Sequence, residues 1–187
     1  MDLNTMLSYD WGAMMPEFII LGTAMILSIL DLFWPKHFNR RKLAWLALTG
    51  IILACLSLIS LLSFETVSIL SDTFRLDSFA KAFKLLLLFG AGLIILLAEE
   101  YEPKEGLREH RGEFYYLFLT ALLGAMVMSS SGDLITLFVG LELLSLSSYI
   151  LVGMRKHDRK SNEASMKYVI NGGISTAIAL FGMSYLY

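Results

Sequence analysis

Six long apolar stretches separated by polar connectors set the pattern of this chain. A helix needs about twenty apolar residues to cross the hydrocarbon core of a bilayer. The stretches at 15–34, 43–63, 79–98, 114–131, 134–154 and 166–187 all lie near that length. Pro16 stands where a helix start tolerates it, and Trp34 is placed to anchor the first stretch at the interface. The second stretch has no charge at all. The third carries Lys81 and Lys84 in its first two turns, where long side chains are expected to snorkel back to the surface. A tight turn at Ser131, Gly132 and Asp133 divides the fourth from the fifth. The pattern predicts an all-α fold, a polytopic membrane helix bundle with six transmembrane helices.

Charge placement gives this bundle an orientation. Lys36, Arg40, Arg41 and Lys42 follow the first stretch, Lys104, Arg108 and Arg111 the third, and Arg155, Lys156, Arg159 and Lys160 the fifth. The opposite loops hold only Arg75, and the segment before the first stretch has no basic residue. Because Lys and Arg accumulate on the cytoplasmic side, the N-terminus belongs outside and the three basic loops inside. Without a basic region ahead of it, the first stretch is expected to be a retained span rather than a cleaved signal. The acidic and basic connector from Glu99 to Glu113 is expected to be a solvated surface. The chain stops at Tyr187 while still apolar, without the polar flank that usually closes a last span, so a fragment of a longer chain is expected.

Composition agrees and narrows the chemistry. The chain has 187 residues, 56% of them hydrophobic, with a mean hydropathy of +0.64, too apolar for a soluble domain of this length. A single cysteine, Cys55, lies in an apolar stretch, so no disulfide framework exists and the side chain should pack as a small hydrophobe. His37, His110 and His157 fall in three separate polar stretches without metal-ligand spacing, and no metal site is expected. No phosphate-binding loop or nucleophile motif is present, so neither nucleotide binding nor covalent catalysis is expected.

One residue breaks the apolar pattern where it is most costly. Glu142 sits near the middle of the fifth stretch, and a carboxylate at the bilayer centre costs about 2.5 to 3.5 kcal/mol on insertion scales. At roughly 13 Å from the outer end of its helix, a glutamate is too short to reach either surface. It must be neutralised, paired or hydrated. Ser145 and Tyr149 fall on its face of the helix, giving a narrow polar stripe. Desolvation raises a carboxyl pKa and a nearby cation lowers it, so moving a cation or admitting water would switch the proton on and off. The competing reading is a permanently protonated Glu142 that only donates a structural hydrogen bond to a neighbouring helix.

Lys167, Asn171 and Ser175 recur at four-residue intervals in the sixth stretch and form a second polar ribbon. Lys167 and Glu142 differ in depth by roughly 13 Å from residue counts, too far for a direct ion pair. Water would have to bridge them, or a nearer cation must come from elsewhere. Glu17 and Asp31, near the two ends of the first stretch, are expected to be structural, as are Lys81 and Lys84. Gly90, Gly92, Gly172 and Gly173 are expected to allow close helix packing.

The segment Asp133-Leu-Ile-Thr-Leu-Phe-Val-Gly-Leu-Glu142-Leu-Leu-Ser-Leu-Ser-Ser-Tyr149 resembles the fifth span of the antiporter-like membrane subunits of NADH:quinone oxidoreductase, respiratory complex I, and in particular its subunit N. Ser161-Asn-Glu-Ala-Ser-Met-Lys167-Tyr168 and the glycine-rich helix after it resemble the sixth span, also in the photosynthetic counterpart. The resemblance implies the first part of an antiporter-like inverted-repeat fold, with two repeats of five helices in the full family chain. Residues 1–113 would then hold three leading transmembrane helices and a cytoplasmic loop, and 114–187 the first three helices of the first repeat. It also implies that Glu142 pairs with a lysine on a broken seventh helix and helps to move protons. Lys167 matches a family lysine with a lesser claim to function.

The function implied is a proton-translocating membrane subunit in a multi-pass arrangement in a bacterial cell membrane. No cofactor is expected in this chain, because NADH, FMN, iron-sulfur clusters and the quinone would bind other subunits. Its partners would be the other membrane subunits, the lipid bilayer and, indirectly, the quinone pool, with no nucleic acid. Two alternatives stand beside it: a subunit of a multi-subunit sodium/proton antiporter, which would use the same glutamate, and a non-catalytic membrane scaffold.

Overall fold

In the computed structural model the apolar stretches are helices, and residues 9–33, 41–63, 66–100 and 111–186 are described. Trp34, His37, His110, most of the connector from Glu99 to Glu113, and the basic residues Lys36, Arg40, Lys104 and Arg108 lie outside that set. A single 3-10 turn, Trp11–Met14, leads into α1 (Met15–Phe33). Then come α2 (Arg41–Ser60), strands β1 (Val67–Ile69) and β2 (Phe74–Leu76), α3 (Ser78–Glu100), α4 (Arg111–Ser129), α5 (Leu134–Val152) and α6 (Arg159–Ser184).

The helices begin where a polar side chain can satisfy free backbone N–H groups. The Asp77 carboxylate accepts from Ala80 N at 2.7 Å, that of Asp133 from Thr136 N at 2.9 Å, and that of Asp158 from Lys160 N at 3.0 Å. Such caps contribute about 1 kcal/mol each. The cap at Asp158 explains why α6 starts at Arg159 instead of the expected Met166: once nucleated, the helix extends through the polar segment ahead of the apolar one. Among the described residues, five helices have the length and hydropathy to cross a membrane. The sixth, α6, has 26 residues, but its polar first half keeps its hydropathy below theirs.

Helices α1 to α4 pack side by side around one apolar core. It is built from Ile20, Ala24 and Leu27 of α1, Ala47, Ile51, Ala54 and Leu58 of α2, Leu88, Ala91 and Ile95 of α3, and Tyr115, Leu119 and Met126 of α4. Cys55 packs against this core, as a small hydrophobe would. α5 lies on α4, and α6 on α5. Large apolar side chains stand exposed on the outer surface: Phe33 is 81% exposed, Leu97 71% and Phe89 70%. In water such a surface would drive aggregation, and in lipid it is matched to its solvent.

The hairpin of β1 and β2 is not visible in the hydropathy pattern. Its strands are antiparallel, with Ser68 opposite Arg75. Leu70, Ser71 and Asp72 at its tip all have φ between 56° and 68°, a left-handed conformation that costs an L-residue roughly 1 to 2 kcal/mol each. Bonds to the α4–α5 turn hold the tip: Gly132 N donates to Thr73 O and Arg75 N to Ser130 O, both at 2.8 Å. A Cβ on Gly132 would collide with Asp72 O, so only glycine permits this approach.

Candidate functional site

α5 carries the candidate carboxylate, and its packing determines where that group points. Gly140 of α5 meets Gly124 of α4 so closely that a Cβ on Gly124 would come 2.6 Å from Leu144 N, a backbone atom with no freedom to yield. Lower on the same face, Ser147 and Thr120 share a 3.0 Å hydroxyl contact, and Ser147 donates to Leu143 O at 2.7 Å. At 3.6 residues per turn, Glu142 lies roughly 140° to 160° around the helix from Gly140 and Ser147. It is therefore turned away from α4.

Glu142 itself is half-buried. Its Oε1 is shielded from solvent and has no hydrogen-bond partner among the described residues. Unsatisfied buried polar atoms are rare in proteins, and each calls for an explanation such as catalysis or a partner supplied from elsewhere. The stripe of Glu142, Ser145 and Tyr149 lies along one face of the continuous helix α5. Ser145 is half-buried, whereas Tyr149 turns inward against α6: it is 8% exposed, and its ring meets that of Tyr168 edge-on at 4.7 Å. Ser165 also donates to Tyr149 O at 3.1 Å. Gly172 makes room, because a Cβ there would collide with Tyr149 Oη.

Lys167 does not meet Glu142. Its Nζ lies 2.6 Å from Glu163 Oε1, one turn back on α6, with both side chains well exposed. Asn171 and Ser175 are exposed as well, linked by a 2.9 Å bond from Ser175 Oγ to Asn171 O. No residue of α6 is buried, so the ribbon lies on an open surface of the described chain. The antiparallel contacts of Tyr149 with Ser165 and Gly172 put Lys167 nearer the inner end of the helix pair than Glu142.

The structure corrects the account of the third span. Lys81 and Lys84 do not snorkel: they are 4% and 0% exposed. Lys84 Nζ lies 2.5 Å from Glu17 Oε1 on α1, and 4.7 Å from the centre of the Phe74 ring, which covers it from the hairpin. Apart from this ion pair, neither oxygen of Glu17 nor the Lys84 ammonium has a hydrogen-bond partner among the described residues. A cue existed in the sequence. Odd-numbered spans run in the same direction, so opposite charges in the first two turns of spans one and three lie at similar depth.

Among the glycines expected at helix contacts, Gly172 fits and a Cβ on Gly92 would lie an ordinary 3.9 Å from Ile51, while Gly90 and Gly173 face open space. Close approaches that were not expected occur at Gly50, beside Thr23, and at the Gly124–Gly140 crossing. Asp31 lies against Gly112 in the first turn of α4, where the helix N-terminus favours a carboxylate.

Comparison with known proteins bears on the same helices. Residues 131–187, covering α5 and α6, match the transmembrane family model of NADH:quinone oxidoreductases and Mrp antiporters. Over all of its length the chain is 65% identical to NADH-quinone oxidoreductase subunit N of Geobacillus sp. strain WCH70, covering 38% of that protein. It is 40% identical over its whole length to the chloroplastic NAD(P)H-quinone oxidoreductase subunit 2 of Mesostigma viride, covering 36% of it. A chain of respiratory complex I from Thermus thermophilus superimposes on 92% of this chain with a TM-score of 0.74 at 27% identity, covering 36% of that chain. The chain thus spans somewhat more than a third of the length of the curated relatives it matches. The likeness suggested by the residues around Glu142 extends over the whole chain, which is similar throughout its length to a part of NADH-quinone oxidoreductase subunit N.

Proposed function

We propose that this chain is part of a proton-translocating membrane subunit of an NADH:quinone oxidoreductase, with Glu142 as the carboxylate that takes up and releases the proton. The observation that carries this is the oxygen of Glu142 that is buried at mid-helix and unpartnered among the described residues. A carboxyl group so placed can exchange a proton when water or a cation reaches it. Packing supports the role: α5 is clamped to α4 on one face and presents Glu142 on the other, toward whatever covers that side. Oε1 of Glu142 has no partner among the described residues, and the cation that pairs with it is assigned to a neighbouring helix outside them.

Within this proposal residues 1–113 form the leading helices and 114–187 the opening of the first antiporter-like repeat. Lys167 takes a secondary place near the inner surface, paired with Glu163 one turn back on α6. Electron transfer and its cofactors, namely NADH, flavin, iron-sulfur clusters and quinone, belong to other subunits, which are also the partners of this one in the membrane. The sodium/proton antiporter reading uses the same carboxylate, but the similar proteins are named for quinone oxidoreductases.

Replacing Glu142 with Gln in the full-length subunit keeps size and hydrogen bonding but removes the titration. Proton translocation by the assembled enzyme should fall at least tenfold with assembly unchanged, measured as dye quenching in proteoliposomes beside a stain of the intact complex. Wild-type pumping by the Glu142→Gln variant would leave the scaffold reading in possession. Lys167→Ala should do less, and an effect larger than that of Glu142→Gln would reverse the ranking of the two.

A further inference from the structure

We infer that Glu17 and Lys84 form a second proton-binding site in this chain, separate from Glu142 and nearer the outer surface. Glu17 is the third residue of α1 and Lys84 the seventh of α3, which puts them roughly 3 and 9 Å along helices that both start at the outer end. α1 and α3 each pack on α2 and α4, so the pair crosses the middle of the four-helix group. The site is closed: Glu17 is 3% exposed, Lys84 is 0% exposed, and Phe74 roofs the ammonium.

A purely structural tie would be expected to satisfy its polar atoms, because the attraction in a buried pair offsets desolvation only when the remaining lone pairs and protons are bonded. Here Oε1 and the ammonium have only each other, and Oε2 of Glu17 has no hydrogen-bond partner among the described residues. Oε2 of Glu17 is thus available to accept a proton. Uptake of one proton there forms an O–H bond and turns the carboxylate–ammonium pair into an acid beside an ammonium, raising the charge by one. Release to water reverses it. Internal transfer breaks an N–H bond of Lys84 and forms an O–H bond on Oε1, which leaves a neutral pair at no change in total charge.

The charged neighbours of the site are few. Lys81 and Asp77 lie on the first turn of α3 and at its cap, Arg75 is exposed on the hairpin, and Asp10 precedes α1, where it bonds Gly12 N. The outer halves of α2 and α4, within the described residues, carry no charge. Hydrophobic residues of α4, Leu119, Leu122 and Met126, are buried in the core between this pair and α5. The site therefore exchanges with the outer aqueous phase rather than with Glu142. The roof has a mechanical link of its own, since the residues flanking Phe74 bond to Ser130 and Gly132, directly ahead of the α5 cap.

The test uses the full-length subunit in the assembled enzyme, reconstituted in proteoliposomes. Glu17→Gln and the double variant Glu17→Gln/Lys84→Gln both remove the acid, and the double variant leaves no uncompensated charge, so it folds if the pair is dispensable for structure. Infrared difference spectra across a pH titration should show a protonated-carboxyl band in the wild type that both variants lose. Protons moved per NADH should fall twofold or more in the double variant while the complex assembles normally. A band that persists in Glu17→Gln, unchanged pumping in the double variant, or failure of both variants to assemble would overturn the inference. This proposal rests on the proton-translocating reading above, and a parallel Glu142→Gln sample separates the two. If that control loses pumping while the Glu17 variants keep it, only the second site falls; if the control pumps normally, the function itself does.

Discussion

Two ion pairs show how strongly the surroundings of a charge decide its worth. Lys156 and Glu113 meet at 3.4 Å near the inner surface with the lysine side chain 58% exposed, whereas Lys84 and Glu17 meet at 2.5 Å with essentially no exposure. An exposed pair contributes about 0 to 1 kcal/mol, while removing one member of a buried pair strands the other charge and costs about 3 to 5 kcal/mol. Lys84→Met should therefore lower the midpoint of thermal unfolding of the detergent-solubilised protein by many degrees, and Lys156→Ala should move it within error. Equal shifts would mean that the Glu17 carboxylate finds another partner or water when the lysine is gone. Glu142 belongs to the same scale. Its lone carboxylate could be picked out from sequence because nothing in its stretch resembles it, whereas the Glu17–Lys84 pair is easily missed, because either residue alone reads as an interfacial charge and only a comparison of spans running in the same direction sets the two at one depth.

At the scale of elements, contact depends on backbones that can approach each other. The α4–α5 crossing has backbone atoms where a Cβ on Gly124 would go, so Gly124→Ala must push the helices apart. Overpacking of this kind costs typically about 1 to 3 kcal/mol. The variant should unfold at lower temperature and lose the Thr120–Ser147 contact, which a cysteine pair at 120 and 147 would report as slower cross-linking. The hairpin is the second case. Gly132→Ala should lift its tip from the α4–α5 turn, and hydrogen exchange at the Arg75 and Gly132 amides should then rise at least tenfold against the parent. Unchanged protection would show that the tip tolerates the side chain. The six helices were legible from hydropathy, and the hairpin was not, since two three-residue strands with three left-handed residues between them leave no periodic trace.

For the whole molecule, the asymmetry of basic residues places the hairpin outside and the connector at 153–158 inside. A cysteine replacing exposed Ser71 should react with a membrane-impermeant maleimide on intact cells. One replacing exposed His157 should react only after the membrane is opened, and labelling of His157→Cys on intact cells would invert the topology. The same view explains the uneven burial. α1 to α4 enclose a core, whereas no residue of α6 is buried and Glu142, on the α5 face turned from α4, is half-buried.

What the order of residues determined alone was set by solvent. Runs of about twenty apolar side chains must become helices in lipid, because every backbone polar group has to be satisfied internally, and an isolated carboxylate within such a run is marked by its cost wherever the helix sits. Tertiary structure decided what depends on neighbours: that Lys84 finds Glu17 across the bundle, that Gly124 and Gly140 meet while Gly90 faces open space, and that Tyr149 at the inner end of the polar stripe packs on α6. Helical periodicity states which residues share a face. Only packing states which other helix that face will meet.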